Sequence, residues 1–217
     1  MTEIIFADDT LQEMRDEVLR LAANWRPKPR KLFLGVGIND ADYITHAHTN
    51  IGQWTCPIMQ KWRSMLTRIY SPDQYYTYIG TVLDAEWISF MSFRSWCLGN
   101  RWKSDYHLDK DIITNGKIYG PNSCAFIPQQ INKFFNDRAL AGNLYPTGVS
   151  IIGQRYQASC SDPINKCRQY LGLFDTPEEA HLAWKKRKHE HAIALADMYP
   201  DLDPRVLDAL RNKYKSS

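Results

Sequence analysis

Apolar positions follow helical stripes in some stretches of the chain and strand-like alternation in others. Leu11, Met14, Val18, Leu21 and Trp25 recur every three to four residues, which predicts an amphipathic helix over 9–25 capped by Asp9 or Thr10. Met59, Trp62, Met65, Leu66 and Tyr70 share one face of a helix over 57–70. Trp87, Phe90, Phe93 and Trp96 supply the aromatic face of another over 84–97, with Asp84 as its cap. Residues 32–53, with Gly35, Gly37 and Gly52, are expected to form short strands and loops. Residues 105–113 alternate and are rich in β formers, Asn115-Gly116 favours a tight turn, and 117–119 return, so a β-hairpin is predicted there. After a turn at 120–122 and an apolar run at 124–127, Pro128 opens a helix that buries Ile131, Phe134 and Phe135.

The C-terminal third changes character after the polar stretch 136–143. Residues 148–152, 155–160 and 169–174 read as three short strands. Thr176, Pro177 and Glu179 stand at the Ncap, N1 and N3 positions of a capping box, which predicts a long helix with Ala180, Trp184, His191, Leu195 and Met198 along its stripe. Trp184 is expected beneath the sheet. Asp203-Pro204 starts a last short helix carrying Val206, Leu207 and Leu210. The fold class expected is α+β.

Composition narrows the class further. The chain has 217 residues, 44% hydrophobic and 24% charged, which are globular proportions and exclude disorder and collagen. Its longest apolar runs fall far short of the ~20 residues that cross a bilayer, so no membrane partner is expected. The N-terminal residues lack the basic and apolar regions of a secretory signal. Five cysteines without a CxxC or CxxH pair argue against a disulfide framework and a zinc site, and a reducing cytoplasm is the default.

The net charge of +3 is unevenly distributed. Residues 1–25 hold two basic and six acidic side chains, and the positive charge begins at Arg26. The stretch Arg26-Pro27-Lys28-Pro29-Arg30-Lys31 fits either a solvated hinge or a basic arm laid in a DNA groove. The cationic run 185–188 fits a solvated helix face first and a phosphate contact second. Seven tryptophans serve compact cores before they serve base stacking.

Candidate chemistry lies in 105–138. On an extended strand, residues two apart face the same side, so His107, Asp109 and Asp111 are expected to form a column of one imidazole and two carboxylates. Two buried carboxylates repel, and a hard divalent ion removes that penalty. The helix after the hairpin can present the Asn132 amide oxygen to the same ion. A solvent-facing strand with alternating acids is the plainer alternative.

The runs 108–113 and 116–132, with Gly35-Val36-Gly37-Ile38-Asn39-Asp40, Trp62-Arg63-Ser64-Met65-Leu66 and Glu86-Trp87-Ile88-Ser89-Phe90, resemble the HNH endonucleases of bacteriophages, many of them homing enzymes. Gly148-Val149-Ser150, Tyr156-Gln157-Ala158, the run 170–176 and Glu178-Glu179-Ala180 resemble the three-strand-plus-helix DNA-binding domain of plant ethylene-response factors. Together the resemblance covers roughly residues 33 to 199. It implies an N-terminal helix and basic linker over 1–31, a ββα-metal nuclease core over 32–140, and a DNA-binding domain over 141–217 in which a three-stranded antiparallel sheet packs on a helix.

The activity implied is hydrolysis of a phosphodiester at a recognised site in double-stranded DNA, by nicking or double-strand cutting, with one Mg²⁺ (or Mn²⁺). A monomer in the cytoplasm of the bacterial host is expected. Asp109 and Asn132 carry over as metal ligands, and Asp111 as an outer ligand acting through water. The family's histidine position holds Lys110 here and its middle asparagine position holds Ser123. His107 therefore becomes the candidate general base, since imidazole titrates near neutrality, and Lys110 a cation for phosphate. Arg155, Tyr156, Gln157, Lys166 and Arg168 are the expected DNA contacts. The principal alternative is a sequence-specific DNA-binding protein without catalysis, and a third is a structural or protein-interaction scaffold.

Overall fold

A computed structural model of the chain describes residues 2–27, 32–114, 116–136 and 144–215. Lys28, Pro29, Arg30 and Lys31 of the basic stretch, Asn115 of the predicted turn, and 137–143 of the polar stretch lie outside the described residues. The protein is α+β, with helices of up to 22 residues and small sheets of two or three strands. It divides into two compact units, Met1–Phe126 and Ile127–Ser217. The expected domain boundary at 140/141 lies further along the chain, because the helix at 129–135 groups with the second unit.

In the first unit, α1 (Gln12–Ala23) buries Val18 fully, as its stripe predicts. It starts later than expected, since Thr10 N–H bonds Ala7 O in a preceding turn and Leu11 takes the cap position without a side-chain bond. A hairpin of β1 (Leu32–Phe33) and β2 (Gly37–Ile38) follows. Gly37 is required there, because a Cβ would overlap Leu66 Cδ1 and the Trp62 ring. Next come the hairpin β3 (His46–Thr49) and β4 (Gly52–Thr55), and then α2 (Pro57–Tyr70), opened by Pro57 in its first turn.

The expected helix over 84–97 is broken. After β5 (Val82–Leu83), a 3₁₀ turn runs over Ala85–Ile88 and α3 over Phe90–Gly99. Ser89 divides them, because its hydroxyl accepts from Ser92 N–H as an N-cap while donating to Asp40 at 2.7 Å. Trp62, Trp87, Phe90 and Phe93 fill the core without exposure, and Trp62 Nε1 donates to Trp87 O at 2.8 Å.

The segment 105–127 corrects the predicted hairpin. β6 spans His107–Asp109, and Asp111–Thr114 is a helical turn, α4. β7 (Ile118–Tyr119) pairs in parallel with β5, not with β6. The partner of β6 is β8 (Ala125–Ile127). The order strand, strand, helix survives, with a longer insertion between the strands, and α5 (Gln129–Phe135) follows.

The second unit matches its pattern closely. β9 (Val149–Ile152), β10 (Arg155–Ser161) and β11 (Arg168–Phe174) form an antiparallel sheet with β10 in the centre. α6 (Pro177–Met198) packs across it and α7 (Pro204–Asn212) packs on α6. The capping box forms: Thr176 Oγ1 accepts from Glu179 N–H, and Glu179 Oε2 accepts from Thr176 N–H, both at 3.2 Å. Trp184 is buried against Gly148. A φ of +85° and the close approach of the indole, which a Cβ at that position would overlap, both demand glycine there. Among the described residues no helix is long and apolar enough to cross a membrane.

Candidate functional site

β6 is short, and its alternation is plain: Leu108 is buried while His107 and Asp109 are half-exposed on one face. Asp109 ends the strand and caps the helical turn that follows. Its Oδ1 accepts the backbone N–H groups of Asp111 and Ile112, each at 2.9 Å. Among the described residues, Oδ2 forms no hydrogen bond. Burial pushes the Asp109 carboxyl above its usual range, against the two backbone N–H bonds that pull it down.

The expected column of three does not form. Asp111 sits at the start of α4, so its carboxylate leaves the strand face and turns to Lys110 Nζ at 2.5 Å. Lys110 is corrected too. Its side chain is buried, its ammonium also reaches Gly116 O at 3.3 Å, and it lies 5.6 Å and 5.9 Å from the ring centres of Tyr78 and Tyr119. A cation held this way cannot stand on a phosphate without unpacking the insertion. Ser123 is likewise a turn-former, buried with its hydroxyl directed at Ile118 O at 2.7 Å. Asn132 is half-buried on α5, which belongs to the second unit.

The second unit's sheet has two faces. Ala158, in the middle of β10, is fully buried where α6 crosses, so Tyr156, two residues away, shares that side. Tyr156 packs its ring on Tyr145 with centres 5.3 Å apart and is not brought together with Arg155 and Gln157, which alternate to the outer face. The outer face is pre-ordered. Arg155 Nε donates to Asp175 at 3.0 Å and its Nη2 to Leu173 O at 3.1 Å. Arg168 Nε donates to Ser159 Oγ at 2.8 Å.

Lys166 stands exposed in the turn between β10 and β11, with φ +54°. Asp162, which the sequence pattern did not single out, holds that turn. Its Oδ1 accepts from Ile164 N–H (2.8 Å) and Asn165 N–H (3.0 Å), and its Oδ2 from Asn165 Nδ2 (2.8 Å) and Gln169 Nε2 (2.9 Å). These bonds, the Asn165 N–H first, hold its carboxyl below the usual range. Asp162-Pro163 directly after a strand is the turn signal that could have revealed it. Tyr170 was also missed; it pairs with Ser159 and stands well exposed two residues from Arg168 on β11, so the parity of that strand could have found it.

The donor set at β6 is sparse. Among the described residues no group of three or more His, Cys, Asp or Glu gathers to hold a metal ion. One carboxylate with an oxygen to offer nevertheless suits Mg²⁺, which keeps several waters and takes the rest of its ligands from phosphate. No protein-family model matches the chain, and no solved structure matches it.

Proposed function

We propose that this chain is a metal-dependent endonuclease acting on double-stranded DNA, with chemistry at β6 and DNA held on the outer face of the β9–β11 sheet. One observation carries the reading: Asp109 has one oxygen pinned by α4 and the other without a hydrogen bond among the described residues, on the strand face that also carries His107. Carboxylate and imidazole two residues apart on one face supply a hard-metal ligand and a proton acceptor together. Bound Mg²⁺ or Mn²⁺ would stabilise the charge that develops on the scissile phosphate and its leaving oxygen.

The chain's own residues divide the rest of the work. Asp109 is held in place by the turn it caps, so its second oxygen is fixed in direction before any ligand arrives. His107 accepts a proton from the attacking water. The resemblance adds the Asn132 amide as a ligand, and Asn132→Ala is its separate test. Arg155, Gln157, Lys166 and Arg168 meet DNA, the cations on phosphates and Gln157 toward base edges. Action as a monomer in the cytoplasm of a bacterial host belongs to the same proposal.

A DNA-binding protein without catalysis is the second reading, favoured by the burial of Lys110 and the structural use of Ser123. Nicking of supercoiled plasmid with Mg²⁺ or Mn²⁺, against chelator, separates the two. Metal-dependent nicking that disappears in Asp109→Ala supports the nuclease. Salt-dependent DNA retention without nicking under either ion supports the second reading.

A further inference from the structure

The β3–β4 hairpin belongs neither to the β6 face nor to the β9–β11 sheet. Its inner face is anchored: Ala47 and Trp54 pair across the strands, both are buried, and Phe6 packs on Trp54 with ring centres 5.2 Å apart. Alternation then commits His46 and His48 to the opposite, exposed face. Their rings stand edge to face at 83°, and their Nε2 atoms are 3.1 Å apart. His46 Nδ1 is tied to Thr55 Oγ1, its cross-strand partner, at 2.8 Å.

We infer that His46 and His48 form a two-imidazole site for a borderline divalent metal ion, Zn²⁺, Ni²⁺ or Cu²⁺, distinct from the hard-metal chemistry proposed at Asp109. The separation fits. An ion about 2.0–2.1 Å from each nitrogen subtends an angle of about 95–100° when those nitrogens are 3.1 Å apart, between octahedral and tetrahedral values. When His46 Nδ1 donates to Thr55, its Nε2 presents a lone pair, which is the orientation that outer hydrogen-bond partners impose on metal-binding histidines. His48 then carries the proton shared between the two Nε2 atoms. Metal binding asks only that this proton move to His48 Nδ1, a change of tautomer without loss of a proton from the neutral ring.

The surroundings set the ion's class and the strength of its binding. Imidazole nitrogens select borderline metals over Mg²⁺ and Ca²⁺. Burial, His48 and Arg63 all hold His46 toward its neutral form. Arg63 also opposes a bound cation. Its guanidinium rests on the Phe33 ring, 4.6 Å from the centre. Two protein ligands leave the remaining coordination positions to water or to a ligand from solution.

Calorimetric titration of the metal-free chain with Zn²⁺, with folding of each variant checked by circular dichroism, tests the site. Both histidines are exposed, so His46→Gln and His48→Gln are expected to fold. Each should weaken the strongest Zn²⁺ binding at least tenfold, and the double variant should remove it. Arg63→Gln should strengthen it several-fold, and millimolar Mg²⁺ should not compete. Wild-type Zn²⁺ affinity in either single variant, or displacement by Mg²⁺, overturns the proposal. Retention of the double variant on immobilised Ni²⁺ equal to that of the wild type does so as well.

Discussion

Lys110 and Arg168 are both cations at the end of a strand, yet they face opposite fates. Lys110 turns inward, where Asp111, Gly116 O and two tyrosine rings surround its ammonium. Arg168 turns outward, bound through Nε to Ser159 and otherwise open to solvent on the sheet. Charge near a candidate site therefore says little until its direction is known. Around β6 most polar atoms are engaged in building the insertion, and the second oxygen of Asp109 is the group on which the proposed chemistry depends. On the β9–β11 sheet the polar atoms are fastened at one end and offered at the other, which suits recognition.

The sharpest way to break this contrast is Asp109→Ala, expected to cut metal-dependent nicking about a hundredfold or more while leaving DNA retention unchanged in a gel-shift assay. Asp109→Asn refines it. An amide oxygen can still cap α4 and sheds the cost of burying a charge, so nicking should fall while the melting temperature holds or rises. Unchanged nicking in both variants would move the chemistry away from β6.

Gly148→Ala comes next. The added methyl strikes Trp184 and the φ of +85° disfavours it, so the second unit should lose on the order of 3 kcal/mol by chemical denaturation. Lys110→Met should cost about 1–2 kcal/mol of stability and leave the salt dependence of DNA binding alone. Arg168→Met should do the reverse: stability is retained and the log–log salt slope falls by about 0.9 if the guanidinium meets one phosphate. If Lys110→Met changed the slope and Arg168→Met did not, the contrast between the two cations would be inverted.

The smallest effect concerns pH. Asp162 has its carboxyl held below the usual range by the turn it organises. Its contribution to stability is therefore present above the unfolded carboxyl pKa of about 3.9 and is lost as pH falls through the lower, folded value. Asp162→Asn should flatten the loss of stability below about pH 4 in denaturation experiments. An unchanged acid limb would mean that the turn does not depend on that charge.

Much of the second unit was legible because its contacts are local. β9, β10 and β11 are consecutive, each pairs with its neighbour in sequence, and the capping box at Thr176 is a four-residue signal. The first unit was legible in its helical stripes and illegible in its pairings. Asn115-Gly116 and the alternation around it invited a hairpin, but β7 found β5, from more than thirty residues earlier, and β6 found β8 across the insertion. Of the candidate site, the shared face of His107 and Asp109 followed from parity alone. The departure of Asp111 did not, because Asp109 captures two backbone N–H groups and starts a helical turn where a strand was expected.

Sequence by itself determined where most of the longer helices lie, that residues such as Val18, Trp62 and Trp184 face inward along them, and the α+β class, since these depend on spacing within a few residues. Only the tertiary structure decided which strands pair, which way Lys110 and Tyr156 point, and that two imidazoles on β3 come within 3.1 Å. Those outcomes are set by partners distant in sequence and by cross-strand neighbours such as Thr55, whose position no local pattern encodes.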